Sequence, residues 1–381
     1  MFDNGQSLVA AASRNAAAVA LVDGETVYTY GELLDVASRL AAGFERLGIV
    51  RGDRLLVVMQ NRAETALAYW ATQLAGIVFT PINWRTKAQE IDYSLGDSGA
   101  KPVLLDESPR PAARGSGGAT AGIVRIDCAG EAAGAVPLRD LLACDGRLAG
   151  PRASADDLSV LLYTSGTTGP GKGVPRTHRA ERAAAIAHVA QNAYLSGEVT
   201  LGVMPLYHTM GVRLLLAMAQ IGGSFICQHR FDPAVSLQLV DRHAVTALYL
   251  VPTLYHDLLA HPDFATTNVS SARKLGFAGA PMSDGLLRRV DAAFRPHIFV
   301  NHYGSSEIYT FTVNQQAAAK PGSAGRAGVN SQIKVIPLGS SDVGAQAVAG
   351  SSGQIIAKMA SDEAFAGYWH RPDADARAIV D

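Results

Sequence analysis

Cysteine and net charge are both scarce in this sequence. The 381 residues contain three cysteines, Cys128, Cys144 and Cys227, and this odd, widely spaced set argues against a disulfide framework or a zinc site. The formal net charge of -1 gives no general attraction to nucleic acid or to an anionic membrane surface. We therefore expect a reducing compartment and no nucleic-acid or membrane partner.

Long apolar runs are also missing. The first ten residues have no basic stretch, and the apolar piece at 16–22 is bounded by Arg14 and Asp23. This piece is too short for a secretory signal or a membrane span. These features predict a cytoplasmic protein.

What the sequence does contain is a regular alternation of strand-like and helix-like segments. A composition of 48% hydrophobic and 18% charged residues is typical of a globular chain with two or three packed units. Between residues 18 and 106 the helices have clear ends, with a Thr29-to-Glu32 capping box at one start and Gly76 after another helix. Short connections between such elements indicate a parallel sheet covered on both faces.

The alternation resumes after residue 174 and stops after Phe311. Residues 110–122 are rich in Gly, Ala, Pro and Arg and predict a surface excursion, whereas the glycine-punctuated short strands after 311 predict a small antiparallel sheet or barrel. The predicted fold class is α/β, with two doubly wound α/β subdomains and a small antiparallel β-barrel-like subdomain. The predicted boundaries are 1–155, 156–315 and 316–381.

The first chemical motif is the loop at residues 163–174, which follows the apolar run at 158–162. Its glycines, hydroxyl residues and single lysine offer N–H groups, hydroxyls and a cation to a polyphosphate. A Walker A loop is excluded because Gly173, not a hydroxyl residue, follows Lys172. A flexible linker is disfavoured because Thr167 and Thr168 are β-branched and a strand leads directly into the loop.

Two further segments carry polar side chains at predicted strand ends. Residues 301–307 follow a strand and combine Tyr303, Gly304, two serines and Glu307, a set that suits a nucleotide and a metal ion. Alone, Glu307 is more often a solvated carboxylate, but its order and spacing after the phosphate loop strengthen the interpretation. Residues 204–211 contain His208, which by itself is more often a buried core histidine.

These motifs together resemble those of the acyl-adenylate-forming superfamily, which includes acyl- and aryl-CoA ligases, peptide-synthetase adenylation domains and firefly luciferase. Residues 163–174 resemble its signature loop, with Gly171 where proline usually precedes the lysine, and residues 301–307 resemble its aromatic-Gly-x-Thr-Glu motif, with Ser306 in place of threonine. Segments 201–208, 277–279 and 364–368 look most like bacterial 4-chlorobenzoate and benzoate ligases. The resemblance covers essentially the whole chain but only the large N-terminal part of such enzymes.

The resemblance implies a role for each matching residue. Lys172, His208 and Glu307 are the implied catalytic residues, and Thr164 with Glu307 the implied Mg²⁺ ligands. The implied ATP and AMP contacts are Thr164, Ser165, Gly166, Thr167, Thr168, Gly169, Lys172, Gly279, Ala280, Pro281, His302, Tyr303, Gly304, Ser305 and Ser306. The implied acyl-group contacts are Ala187, His208, Thr209, Tyr249, Ala278, His302, Gly304 and Tyr309.

The implied reaction is ATP-dependent activation of a carboxylic acid as acyl-AMP, followed by transfer of the acyl group to coenzyme A. The implied acyl contacts favour an aromatic acid. The expected small molecules are the carboxylate, ATP, CoA and Mg²⁺, and a homodimer is left open. The chain ends at Asp381, before the family's ribose-binding aspartate and its mobile C-terminal domain with the catalytic lysine, so impaired turnover is expected.

Three alternatives remain beside this interpretation. An adenylation domain that loads a carrier protein usually has an aspartate near Thr209, and residues 207–212 contain none. A protein that binds acyl-adenylate without turnover and an ordinary P-loop NTPase are the others. Arg213 leaves a second carboxylate on the substrate open, although such an arginine is more often a solvated helix residue.

Overall fold

The computed structural model describes residues 2–106, 124–130, 132–164 and 171–380, and it confirms the predicted α/β class. The strands are β1 (Val19–Asp23), β2 (Thr26–Thr29), β3 (Arg54–Val58), β4 (Val78–Pro81), β5 (Pro102–Leu105), β6 (Val124–Asp127), β7 (Val136–Pro137), β8 (Leu158–Tyr163), β9 (Gly173–Thr177), β10 (Val199–Gly202), β11 (Ser224–Cys227), β12 (Ala247–Leu250), β13 (Lys274–Phe277), β14 (Ile298–Tyr303), β15 (Thr312–Asn314), β16 (Arg326–Ala327), β17 (Ile333–Pro337) and β18 (Gly353–Ala357). The helices are α1 (Asn4–Arg14), α2 (Tyr30–Arg46), α3 (Ala63–Ala75), α4 (Ala88–Ser98), α5 (Leu138–Leu142), α6 (His178–Gln191), α7 (Thr209–Ile221), α8 (Pro233–Arg242), α9 (Pro252–Ala260), α10 (Asp284–Phe294) and α11 (Pro372–Ala378).

The strands form two large sheets and one small sheet. The first large sheet has the order β7-β6-β5-β3-β4-β8-β9 and is parallel except for the β8-β9 pair. The second has the order β16-β15-β14-β13-β12-β10-β11-β1-β2 and is parallel from β14 to β1. Strands β17 and β18 form a separate antiparallel pair.

Strand pairing connects segments that are distant in sequence. Leu21 of β1 is in register with Phe225 of β11, and Val160 of β8 is in register with Phe79 of β4. Each large sheet therefore contains strands from both sides of residue 155, and β15 and β16 pair across residue 315. The proposed division at 155 and 315 stays a prediction.

Local sequence signals explain where the helices begin and end. The Thr29 amide donates to Glu32 Oε2 at 2.8 Å and the Glu32 amide to Thr29 Oγ1 at 3.3 Å, which confirms the capping box at the start of α2. Gly76 ends α3 in the left-handed conformation at φ 71°. The excursion predicted at 110–122 lies outside the described residues.

The largest core cluster joins the two large sheets. It contains side chains of β3, β4 and β8 from the first sheet, of β1, β11 and β12 from the second, and of the helices α1, α2, α3 and α7. Because β10, β12, β13 and β14 are parallel, the segments that follow them lie at one edge of the second sheet. That edge carries the predicted site motifs.

Candidate functional site

The segments after β13 and β14 enclose a cavity of about 380 Å³ at the carboxyl edge of the second sheet. Its walls include predicted ATP and AMP contacts from both segments, namely Gly279, Ala280, Pro281, His302, Tyr303 and Gly304. Asn301 and Lys320 also line it. The structure therefore brings the two predicted adenine-binding segments together around one space.

Two glycines and one aromatic residue give this cavity its form. Gly279 has φ +83°, a conformation that side chains disfavour, and a Cβ on Gly304 would lie 2.0 Å from the Tyr309 carbonyl oxygen. Tyr303 is 44% exposed, and its ring centroid lies 5.6 Å from that of Phe311. A flat aromatic wall of this kind suits a purine ring.

A second cavity of about 530 Å³ lies beside the base of the phosphate loop. Thr164, His208, Thr209 and Ser306 line it together, although they come from three distant segments of the chain. Ser165, Gly166, Thr167, Thr168 and Gly169 lie outside the described residues. The base of the phosphate loop, the predicted thioester histidine and the metal-site segment thus share one space.

The base of the loop is closed by hydrogen bonds between Thr164 and Lys172. The Thr164 amide donates to the Lys172 carbonyl oxygen at 3.0 Å, and the Lys172 amide donates to Thr164 Oγ1 at 3.2 Å. A Cβ on Gly171 would lie 2.4 Å from the Thr164 carbonyl oxygen. The glycine that departs from the family pattern is therefore the residue that this close backbone approach allows.

Tyr368 connects the two predicted charged residues of the site. Its hydroxyl donates to Glu307 Oε1 at 2.6 Å, and Lys172 Nζ lies 3.9 Å from the centroid of its ring. Burial and the neighbouring Glu307 carboxylate raise the pKa of Tyr368, so that the phenol stays protonated and can donate. The segment around Tyr368 was used only for the resemblance, and no local pattern in the sequence assigned Tyr368 a role.

The residues present fit a magnesium ion that is held mainly by a nucleotide. In the described parts of the chain no group of three or more His, Cys, Asp or Glu side chains could hold a metal. Glu307 offers one carboxylate, and Thr164 one hydroxyl. Mg²⁺ usually takes one or two protein ligands together with phosphate oxygens and water, so this small donor set suits it.

His208 begins α7 and borders the second cavity. Its Nδ1 accepts from the Met210 amide at 3.4 Å, so that the ring caps the helix. Solvent in the cavity reaches the ring, but the surrounding protein and Arg213 lower its pKa, with desolvation as the larger cause. A neutral imidazole beside the cavity agrees with a positioning role toward a thiol.

The predicted acyl contacts are split between these cavities and a buried cluster. His208, Thr209, His302 and Gly304 line the two cavities, whereas the other four line neither of them: Ala187, Tyr249, Ala278 and Tyr309. The ring centroid of Tyr249 lies 5.3 Å from that of His302 and 4.6 Å from that of His188. His188 was not among the residues predicted from the sequence. The aromatic neighbours of Tyr249 therefore include one histidine that was not among the predicted acyl contacts.

The interpretation of Arg213 as a solvated helix residue is wrong. Its side chain is on α7 and the residue is 2% exposed, because Tyr249 and Thr310 accept hydrogen bonds from the guanidinium and remove it from solvent. His178, interpreted as structural, is buried and accepts from the Asn4 amide at 3.1 Å.

Two cavities lined by the predicted nucleotide-binding segments, in an α/β fold with parallel sheets, are the arrangement expected of a nucleotide-binding α/β enzyme. The family described as AMP-binding enzyme matches residues 8–369. The chain belongs to this family, the acyl-adenylate-forming enzymes, and to its AMP-forming acid–thiol ligase class.

Several named proteins are similar to the chain over nearly its whole length. A feruloyl-CoA synthase from Amycolatopsis sp is 30% identical over 365 residues, which cover 96% of this chain and 71% of that protein. A 4-chlorobenzoate–CoA ligase from Arthrobacter sp is 30% identical over 381 residues, which cover 97% of this chain and 70% of that protein.

Solved structures agree in fold. The N-terminal domain of FACL13 from Mycobacterium tuberculosis superposes with a TM-score of 0.88 at 25% identity and covers 100% of this chain, which covers 95% of that domain. ATP-bound MatB from Rhodopseudomonas palustris gives 0.86 at 26% identity, with coverage of 100% and 74%. In the described residues, no helix is both long and apolar enough to cross a membrane.

Proposed function

We propose that this chain uses MgATP to convert an aromatic carboxylic acid into acyl-AMP and then forms the CoA thioester. The observation that carries the proposal is that one segment, 302–307, contributes to both cavities. Gly304 lines the adenine-type cavity and Ser306 lines the cavity that also contains Thr164 and His208. This arrangement would place the α-phosphate of a bound nucleotide beside the thioester side of the site.

The first step would be attack of a carboxylate oxygen on the α-phosphorus. The bond from that phosphorus to the pyrophosphate oxygen breaks, and pyrophosphate leaves with the electron pair. Lys172 and the phosphate-loop N–H groups would stabilise the leaving pyrophosphate, and Glu307 with Thr164 would hold the magnesium ion. When bound, this ion neutralises phosphate charge. The step depends on positioning and charge stabilisation more than on a general base.

In the second step a thiol would attack the acyl carbon and AMP would leave. Tyr303 and residues 279–281 would hold the adenine, while His208 and Thr209 would border the route of the thiol. Because the pKa of His208 is lowered, its imidazole is neutral near pH 7 and adds no charge beside the route of the thiol. Its proposed contribution is to position the thiol.

An aromatic acid is favoured by two independent observations. Feruloyl-CoA synthase and 4-chlorobenzoate–CoA ligase, both about equally similar to this chain, are named for aromatic acids. The predicted acyl contacts include Tyr249, Tyr309 and His302, whose rings give flat contact surfaces.

A cytoplasmic location and a homodimer also stay proposals, which fractionation and sedimentation would check.

The proposal is tested by acid-dependent exchange of labelled pyrophosphate into ATP. We expect exchange with benzoates and cinnamates that exceeds exchange with straight-chain acids of equal carbon number, and CoA-ester formation on addition of CoA. Transfer to a carrier protein but not to CoA would favour the carrier-loading alternative. ATP hydrolysis that needs no carboxylate would contradict the proposal.

A further inference from the structure

Arg213 is a buried guanidinium that is only partly bonded. Nη1 donates to Thr310 Oγ1 at 2.8 Å, Nη2 donates to the Tyr249 hydroxyl, and the buried Nε has no acceptor. Across the described residues no carboxylate lies within ion-pair distance of it, in contrast to the equally buried Arg176, which pairs with Glu181 at 2.6 Å. A charged side chain buried in this way usually has an anionic partner.

Two buried histidines near Arg213, His188 and His302, also have one ring nitrogen each without a hydrogen-bond partner. The Asn192 side-chain nitrogen lies 3.1 Å from His188 Nδ1 and 3.1 Å from His302 Nε2. Burial, with Arg213 as a second cause, lowers the pKa of both histidines, so that each ring is neutral and carries one proton. Asn192 Nδ2 also donates to the His188 carbonyl oxygen at 2.8 Å, and Asn192 Oδ1 lies 3.2 Å from His302 Nε2. The other two ring nitrogens, His188 Nε2 and His302 Nδ1, are buried without a partner, and each can donate to an oxygen in the tautomer that places the proton on it.

The three unpartnered nitrogen atoms belong to one cluster, which we call the donor cluster: Arg213, His188 and His302. Tyr249 joins them, because its ring lies 4.6 Å from His188, 5.3 Å from His302 and 5.3 Å from the Arg213 guanidinium carbon. A buried donor without an acceptor is unfavourable, so an oxygen-rich group that reaches the donor cluster would be favoured.

The charged groups around the donor cluster, Glu363 and Arg176, do not supply the acceptor that it lacks. Glu363 is buried and attracts Arg213 through space, but its Oε2 accepts from Asn330 at 3.1 Å, and among the described residues no ion pair joins it to Arg213. Burial raises the pKa of Glu363, which reduces its value as a counter-ion. The charge of Arg176 is already matched by Glu181.

The donor cluster is linked to both cavities through residues of their walls. His302 lines the adenine-type cavity, and Thr209, one helical turn before Arg213 on α7, lines the other. With the proposed function, the reacting carboxylate would lie beside the segment 302–307, which contributes to both cavities and includes His302. A side of the substrate that extends away from the phosphate would therefore approach the donor cluster.

We propose that the donor cluster binds a second carboxylate, carried by the acid substrate at the end remote from the carboxylate that is activated. This inference rests on the proposed function and specifies its substrate class. A carboxylate matches the donors because guanidinium and imidazole N–H groups make short, charge-assisted bonds to its two oxygens. A site that contains such donors discriminates strongly against substrates that leave them unpaired.

The test compares acids that differ only in the remote charge. Benzene-1,4-dicarboxylate is paired with its half-amide, and straight-chain diacids of several lengths are paired with theirs. The quantity measured is the ratio of kcat/KM in pyrophosphate exchange within each pair. We expect at least one diacid to be preferred over its half-amide by about tenfold or more.

Variants connect that preference to the donor cluster. Arg213→Met should reduce the ratio to within about threefold of one, and Arg213→Lys, which keeps the charge without the planar fork, should give an intermediate value. Arg179→Met is the matched control and should leave the ratio unchanged, because Arg179 pairs with the exposed Asp156 and lines neither cavity. Thermal unfolding of each variant checks that it is folded.

The outcomes separate this inference from the proposed function. Exchange with half-amides or unsubstituted acids but no preference for any diacid would overturn the inference alone. A preference that persists in Arg213→Met would also overturn it, and if that variant does not fold, the wild-type ratio and Arg213→Lys decide. Absence of exchange with every acid would overturn the proposed function, and the inference with it.

Discussion

The Tyr368 side chain contacts two charged groups at the same time. Its hydroxyl orients Glu307, while its ring lies under the Lys172 ammonium group. A cation above an aromatic face gains about 0.5–2 kcal/mol, and the hydrogen bond to a carboxylate adds a comparable amount. Neither contact involves a substrate atom, so Tyr368 is a positioning residue.

We predict that the two contacts can be separated by substitution. Tyr368→Phe removes only the hydroxyl and should weaken MgATP binding about threefold to tenfold, because Glu307 loses its orienting donor. Tyr368→Ala should weaken it further because Lys172 also loses the ring. Calorimetric titration with MgATP measures both, with exposed Lys358→Ala as the control. Identical affinities for wild type, Phe and Ala variants would contradict the assigned role.

At the scale of elements, the connection from β8 to β9 depends on one glycine. The main chain of Gly171 approaches the Thr164 carbonyl so closely that a Cβ would lie 2.4 Å from its oxygen. Tyr93 donates its hydroxyl to the Gly171 carbonyl at 3.1 Å and fixes this position from α4.

Gly171→Ala should therefore move the backbone of Lys172 and weaken MgATP binding at least about fivefold, with little change in the thermal midpoint, because the clash lies at a loop end rather than in the core. The control is Gly285→Ala, since Gly285 lies in the first turn of α10 and a Cβ there would have no atom within 4 Å. If the two variants bind MgATP equally well, the geometry of the loop base does not matter for nucleotide binding.

Elements with local signals could be predicted closely from the sequence. The predicted end of α3 before Gly76 and the predicted capping box at the start of α2 are both confirmed, because each depends on residues next to each other in sequence. Sheet membership could not be predicted, since the pairing of β1 with β11 or of β8 with β4 is not encoded in either strand alone. Pairing depends on the packing of helices between the sheets.

The same contrast applies to the site. Gly279, Tyr303 and His208 follow strand ends in recognisable motifs, and the structure places them at the two cavities. His188 and Arg213 lie within helices whose other residues are largely apolar, so the sequence gives no sign that they approach each other. Their cluster depends on how α6 packs against α7, which is a tertiary property.

At the scale of the whole molecule, buried neutral histidines connect stability to pH. His178 accepts from the first residue of α1, and burial lowers its pKa from 6.5 to about 4. A histidine whose pKa is lower in the folded state favours folding above its unfolded value, and this contribution is lost as the pH falls from about 6.5 to about 4. The full shift corresponds to about 3 kcal/mol.

We predict that the unfolding free energy falls across this pH window and that His178→Gln makes the decline shallower. Glutamine can keep an acceptor for the Asn4 amide but does not titrate. Denaturant unfolding at a series of pH values measures the slope, to which His188 and His302 contribute in the same direction. Equal slopes in wild type and variant would show that His178 is not held neutral by the fold.

In the proposed reaction the acid itself attacks the α-phosphorus of ATP. The most direct measurement uses a carboxylic acid labelled with ¹⁸O in both carboxylate oxygens and follows the label by mass spectrometry of the AMP formed. Attack at phosphorus and later cleavage at the acyl carbon predict AMP that carries one ¹⁸O from the acid. AMP without the label, or formation of ADP and phosphate that does not depend on the acid, would contradict the account.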